Sequence, residues 1–219
     1  MSSETQRIVI TGGGGSLGSA INAAFQFDCA CVEAPSRLDL DVKNKNDIHA
    51  YFKHRSVDLL ICAAGVTRDA PLTRLSEKTW NDVWEVNFNG AALCVNAVLP
   101  NMLENHFGHI VLISSYSALH PPIGQAAYAT AKGALLGLVA DLAIQYGSSN
   151  IRVNAILPGF LETRMTKTVT NARRAEILDS HTLGRFNTCD EVAKFIRFLH
   201  YDMPHTSGQI HQLDSRVMR

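Results

Sequence analysis

Six short runs of β-branched and aliphatic residues recur from one end of the chain to the other: RIVITG, CACVEA, VDLLICAAG, GHIVLISS, IRVNAILPG and GQIHQLD. Apolar runs of about four to eight residues without a polar face read as strands covered on both sides. Helix-length segments lie between them, at Ser16 to Phe27, Asp47 to His54, Ser76 to Asn105, Tyr128 to Tyr146 and Cys189 to His200. This alternation leaves few folds open, because a strand can reach a parallel neighbour only by crossing over the sheet. The pattern predicts an α/β fold, a Rossmann-type doubly wound parallel sheet flanked by helices, in one domain over 1–219. No repeat or linker divides it, and 219 residues with 46% hydrophobic content can bury one large core. Ser76 and Thr188 stand where helix N-caps are needed.

In open α/β sheets the ligand binds beyond the carboxyl ends of the strands, so the residues after each strand carry the functional information. Here they are TGGGGSLG, AAGVTRD, SSYSALHPP and PGFLET. Gly12 to Gly15 and Gly18 fall between the first strand and a helix starting near Ser16. Backbone N–H groups in such a turn can approach a pyrophosphate, and the helix N-terminus favours its negative charge.

Tyr128 and Lys132 are four residues apart on an expected helix and so share one face, amid Ala129, Ala131, Gly133, Ala134, Gly137 and Ala140. Small neighbours suit a helix packed closely on more than one side, and a buried ammonium there needs a partner. A lysine snorkelling beside a core tyrosine would explain the pair; so would catalysis. A phenol with a pKa of about 10 must drop by roughly 3 units to work near neutrality, about 4 kcal/mol. An ammonium about 4 Å away at an effective dielectric of about 20 supplies that amount. The expectation is therefore a Tyr128 made acidic by Lys132.

Other classes are disfavoured. Twenty basic and twenty acidic residues cancel, which gives no pull toward nucleic acid or an anionic membrane. No signal peptide is expected from MSSETQRIVITGG, and Lys132 and Asp141 interrupt the apolar segment that comes nearest to a membrane span. Cysteines 29, 31, 62, 94 and 189 lack C-x-x-C spacing and read as buried reduced thiols of a cytoplasmic protein. His200, His205 and His211 read as surface residues, and no metal is expected.

Thr11, Gly12, Ser16 and Gly18 resemble the cofactor loop of the short-chain dehydrogenase/reductase family, and Tyr128-x-x-x-Lys132 resembles its active-site pair. CAAG at 62–65 is similar to the family's N-N-A-G turn, Ser115 lies thirteen residues before Tyr128 as its catalytic serine does, and Asn87 in EVNFNG matches its catalytic asparagine. RVNAILPGFLET is similar to the stretch that holds the nicotinamide. The resemblance runs from Ile8 to Asp214; PGFLETRM and LGRF look most like bacterial 3-oxoacyl-(acyl-carrier-protein) reductases.

The resemblance implies NAD(P)H-dependent, reversible reduction of a ketone to a secondary alcohol. Tyr128 would be the acid/base, Ser115 would orient the carbonyl, Lys132 would bind the nicotinamide ribose, and Asn87 would hold a water. Ser114 is a rival to Ser115, but alternation lets only one face the crevice; Tyr116 is read as structural or substrate-lining. Gly12, Gly15, Ser16, Leu17, Gly18, Arg37, Asp41, Val42, Ala63, Ala64, Gly65, Pro158, Gly159, Leu161 and Thr163 would complete the cofactor site. Ser36 and Arg37 after the second strand favour NADP(H); Glu33 lies about 20 residues past the glycine loop but reads equally as a strand residue, and NAD(H) stays open. Three features depart from the family: one crossover helix is missing after the second strand, Ser16 replaces a glycine, and the tail HQLDSR lacks paired glycines.

A lid over 164–186 is expected, with Arg164, Lys167, Arg173, Arg174 and Arg185 able to meet an acidic acyl carrier protein. Against that partner, His106 and Ser149 stand where the compared reductases carry arginine. Oxidation of a small secondary alcohol and a non-catalytic nicotinamide-binding sensor stay open. Homotetramers or homodimers built on the helices starting near Ser76 and Tyr128 are implied by resemblance.

Overall fold

The computed structural model describes residues 5–26 and 30–217. Phe27, at the expected end of the first helix, and Cys29 lie outside them. All six strands pair in parallel, β1 (Gln6–Thr11), β2 (Ala30–Glu33), β3 (Leu59–Cys62), β4 (Gly108–Ile113), β5 (Ile151–Leu157) and β6 (Ile210–Gln212). Their order is β2-β1-β3-β4-β5-β6. Strand order reverses between β1 and β3, which makes their carboxyl ends the switch point where a crevice opens.

Side chains alternate across the sheet and feed two cores. Val9, Leu60, Ile110 and Leu112 point to one face, against α2 (Lys45–Phe52), α4 (Gly90–Glu104) and α5 (Ala126–Tyr146). Ile8, Ile10, Leu59, Ile61, Val111 and Ile113 point to the other, against α1 (Ser16–Phe25) and α7 (Cys189–Tyr201). Two-sided burial is why the central part of these runs is dominated by apolar residues. Ser76 caps α3 (Glu77–Trp84) by accepting from the Thr79 N–H, and Thr188 with Glu191 forms a capping box on α7.

The long segment after Ser76 is interrupted by a π-helical turn over Glu85–Asn89 between α3 and α4. Inside that turn Asn87 donates to the Val83 carbonyl, 2.8 Å, and to the Val66 carbonyl, 2.8 Å. A side chain thus satisfies backbone groups of both the helix and the loop after β3; such turns recur at functional sites.

The chain from Glu33 to Asp41 has no helix, as expected, and α2 makes the connection to β3. The short connection leaves β2 as the sheet edge, where the order 3-2-1-4-5-6 would place a further strand with a crossover of its own.

By length and composition alone, residues 126–149 form a helix apolar enough to cross a membrane, contrary to the sequence expectation. One face of α5 packs on β5 and the sheet core, and the opposite face is exposed. Cys62 and Cys94 are buried, with thiols that burial pushes up, that of Cys94 to about 12, but Cys31 is exposed and Cys189 only partly buried. His200 is not a surface residue either: it is buried on α7 and stacks on buried His109 of β4.

Candidate active site

The register of the sheet sets the site. Thr11 of β1 pairs with Cys62 of β3, and Ile113 of β4 with Ile156 of β5, so the residues that follow emerge together at one edge. After β1 the glycine turn doubles back: the Gly13 N–H donates to the Pro35 carbonyl, 3.0 Å, and the Gly15 N–H to the Gly12 carbonyl, 2.9 Å. Gly12 has φ +72°, and a Cβ there would lie 2.7 Å from the Ala64 backbone. Only glycine lets the turn lie against the loop after β3.

The first intrahelical bond of α1 runs from the Ser19 N–H to the Gly15 carbonyl, 2.9 Å. The amides of Ser16, Leu17 and Gly18 therefore precede any helical acceptor, and neither a side-chain cap nor an acidic residue of the first turn serves them. Donors without acceptors at a positive helix end fit a dinucleotide's pyrophosphate.

Tyr128 and Lys132, in the first turns of α5, face the ends of β3 and β4. Lys132 is buried at 4% exposure, and its Nζ donates to the Ile113 carbonyl, 2.7 Å. A Cβ on Gly65 would be 3.0 Å from Asn87 Oδ1 and 3.6 Å from Lys132 Nζ, so these three positions converge. Asn87 Oδ1 also accepts from the Val66 N–H, 3.3 Å, fixing the loop that carries Ala63, Ala64 and Gly65.

The two serines divide as alternation requires. The Ser114 hydroxyl is buried and donates to the Lys132 carbonyl, 2.8 Å, on the structural side. Ser115 accepts from the Ser117 N–H, 3.1 Å, and hydrogen-bonds the Tyr128 phenol.

The electrostatics differ from the sequence expectation. Burial pushes the Tyr128 phenol above its ordinary value, a hydrogen bond from Ser115 pulls it down, and the Asp69 carboxylate raises it again. Lys132 Nζ is 6.0 Å from the Tyr128 ring centre and donates to the Ile113 carbonyl. Burial lowers Lys132 itself to about 8. The phenol thus holds its proton at neutral pH.

At the adenosine end, Arg37 ion-pairs with Asp41, 3.1 Å, so two residues expected to meet the cofactor meet each other. The Val42 side chain is buried in the core against Gly90, which leaves its backbone as the part able to face a ligand. Glu33 accepts from Tyr51, 2.8 Å, and Arg55, 3.2 Å, and is a strand-anchoring residue here. The Ser36 hydroxyl is held by Asp39, 2.7 Å.

After β5, Pro158 and Gly159 make the turn, with Gly159 at φ +83° against Asp214. Leu161 is buried and bridges to Asn187; Thr163 forms a capping box with Thr166, its N–H donating to Thr166 Oγ1, 2.9 Å. Beyond Thr163 the expected lid contains a 3-10 turn at Arg164–Thr166 and α6 (Asn171–Asp179), a helix with no buried residue.

Sequence reasoning missed several residues near the site. Gln125 donates to Asp69, 2.8 Å, and accepts from Ser117, 2.9 Å, joining the loop after β3 to the loop after β4. Arg216 pairs with buried Asp214 and lies 3.4 Å over the Tyr116 ring. Asp69 sat in the quoted AAGVTRD edge; Arg216 stands where the paired glycines are lost, which was the only signal for it.

The comparisons agree with this geometry. A family model described as enoyl-(acyl carrier protein) reductase matches residues 9–215. The 3-oxoacyl-(acyl-carrier-protein) reductase FabG of Thermotoga maritima is 32% identical over 237 aligned positions, covering 96% of each chain. That alignment is longer than this 219-residue chain, so it includes positions this chain lacks. FabG of Escherichia coli is 38% identical over 146 residues, 67% of this chain and 60% of that one. A crystal structure from Beutenbergia cavernae, described as an NAD(P)-dependent gluconate 5-dehydrogenase with NADP at low occupancy, superposes with a TM-score of 0.89 at 26% identity over 98% of this chain and 97% of the other. Sheet order, glycine turn, converging Ser115, Tyr128, Lys132 and Asn87, and these relatives lead to one conclusion: the chain belongs to the short-chain dehydrogenase/reductase family of NAD(P)-dependent oxidoreductases.

Proposed function

We propose that the protein reduces a ketone to a secondary alcohol with NADPH, and that a 3-oxoacyl thioester is its substrate. The observation that carries the reading is the placement of a protonated, half-buried phenol, hydrogen-bonded by Ser115, at the same end of the sheet as the N-terminal donors of α1. The nicotinamide supplies the hydride when bound. Glycine-turn amides and the Ser16, Leu17 and Gly18 N–H groups would hold its pyrophosphate, and the loops at 63–65 and 158–163 would flank its nicotinamide half. The exposed guanidinium of Arg37, left in a solvent-facing ion pair, is the nearest candidate for a 2′-phosphate.

The chain's own part is to donate a proton. The Ser115 hydroxyl would orient the ketone oxygen, and the Tyr128 phenol would give its proton to that oxygen as negative charge develops there. Lys132, cationic below about pH 8, would stabilise the phenolate left behind. Asn87 acts as a positioning residue, since its amide is committed to Val66 and Val83. Burial of the phenol favours the reductive direction, which needs the protonated form.

The thioester assignment rests on the two FabG relatives; the segment 164–186 would act as the substrate lid, and an acyl carrier protein would be the carrier. A hydroxy acid is the second reading, favoured by the gluconate 5-dehydrogenase neighbour and by the Arg216 guanidinium over Tyr116, the residue after Ser115. A cytoplasmic location is part of the same proposal. Self-association through α5 is part of the proposal: Gly137 has nothing within 4 Å of its Cβ position and Ile144 is 85% exposed, so this face of an apolar helix is uncovered in the monomer.

The test is NADPH consumption with β-ketothioesters, β-ketoesters and simple ketones, alongside NADP-dependent oxidation of hydroxy acids. Turnover highest on β-ketothioesters supports the first reading; turnover confined to hydroxy acids replaces it with the second.

A further inference from the structure

Arg164 follows Thr163 at the start of the segment assigned to the lid, and its guanidinium reaches back to donate to the Gly14 carbonyl in the glycine turn. The two positions are 150 residues apart in sequence. A cleft of about 380 Å³ lies between them, lined by Ser16, Thr163, Arg164, Thr166 and Lys167 together with the Glu162–Arg174 pair. That pair neutralises itself and leaves Arg164 and Lys167, both exposed, as the cations facing the cleft. Its opposite wall is the start of α1, where three amides lack acceptors.

Two cations and a helix N-terminus around one cleft form an anion site, and a guanidinium retains several N–H donors beyond the one given to Gly14. Resting on the dinucleotide reading above, we infer that Arg164, assisted by Lys167, clamps the diphosphate of the bound cofactor. The segment after β5 then closes first on the cofactor's phosphates. Its basic residues serve the cofactor before they serve any acidic carrier. Thr163 and Thr166 hold the turn that aims Arg164, through their reciprocal hydrogen bonds. The glycine turn has Gly15 where a basic residue could have stood, and Arg164 brings the charge from across the crevice.

The test is fluorescence titration of NADPH and NADH into the full-length protein and into its Arg164→Gln, Arg164→Lys and Lys167→Gln variants, with circular dichroism as the fold control. Arg164 is exposed, so the variants are expected to fold. The clamp predicts that Arg164→Gln weakens both dinucleotides by a similar factor, roughly 10- to 100-fold. Arg164→Lys should recover part of the loss, and Lys167→Gln should weaken both more mildly. Loss confined to NADPH would assign the guanidinium to the 2′-phosphate and overturn the diphosphate clamp. Unchanged binding of both by every variant, with the parent protein still binding, would overturn the clamp and leave the oxidoreductase reading intact. A parent protein that binds neither dinucleotide would sink both.

Discussion

Tyr128 and Lys132 carry their protons differently from what their spacing implies. Four residues of helix place them on one face, but the ammonium turns to the Ile113 carbonyl and the phenol is left above its ordinary value. The sign follows directly. At pH 7 both groups are protonated, the form needed to donate to a ketone oxygen, whereas alcohol oxidation needs the phenolate. The kcat/KM for reduction should therefore stay level between about pH 6 and 7.5 and fall as Lys132 loses its charge above about 8. Oxidation should climb with pH over the same range. Paired pH profiles check this; a reduction rate that rises steadily through pH 9 would contradict it.

At the scale of elements, a buried polar cluster ties β4, β5 and α7 at the end of the sheet away from the crevice. Arg152 donates to the carbonyls of Leu199, His200 and Met203 at the C-terminus of α7, at 2.9 to 3.1 Å, so a cation sits where the helix presents bare acceptors. His109 is enclosed by Arg152, His200 and Asn154, with His211 on β6 also acting on it. Burial, reinforced by Arg152, His200 and His211, holds His109 well below the ordinary histidine value. The unfolded chain takes up this proton near pH 6.5 and the folded chain does not, so the contribution is full above that pH and is lost as pH falls below it. Urea midpoints should drop between about pH 6.5 and 5, and Arg152→Met should cost about 2 to 4 kcal/mol at neutral pH by stranding the α7 carbonyls. Flat urea midpoints across that window would refute the histidine assignment.

Such elements show what the sequence could and could not disclose. The six strands were legible because two-sided burial leaves short runs dominated by apolar residues, and Ser115 was separable from Ser114 because alternation lets only one face the crevice and the thirteen-residue offset to Tyr128 picks Ser115. The π-turn at Asn87, the Arg37–Asp41 pair and the Arg152 cluster were not legible, since each depends on groups that only the sheet register or a loop path brings together. Arg164 was visible as a lid cation, but its reach to Gly14 is a tertiary fact.

For the whole molecule, α5 is where the proposals for catalysis and for assembly meet. Its inward face carries Tyr128 and Lys132, and its outward face carries Thr130, Gly137, Ala140 and Ile144, all exposed. If this face is an interface between copies, Gly137→Arg should lower the mass measured by light scattering to that of the monomer while the monomer stays folded, because position 137 is exposed and a Cβ there meets nothing within 4 Å. An unchanged mass would place the interface elsewhere.

The most direct test of the central claim compares Tyr128→Phe with the parent protein in NADPH binding and in reduction of the best ketone. NADPH affinity should be preserved and turnover should fall by about 10²- to 10⁴-fold. Turnover equal to the parent's would contradict the assignment of Tyr128 as the proton donor.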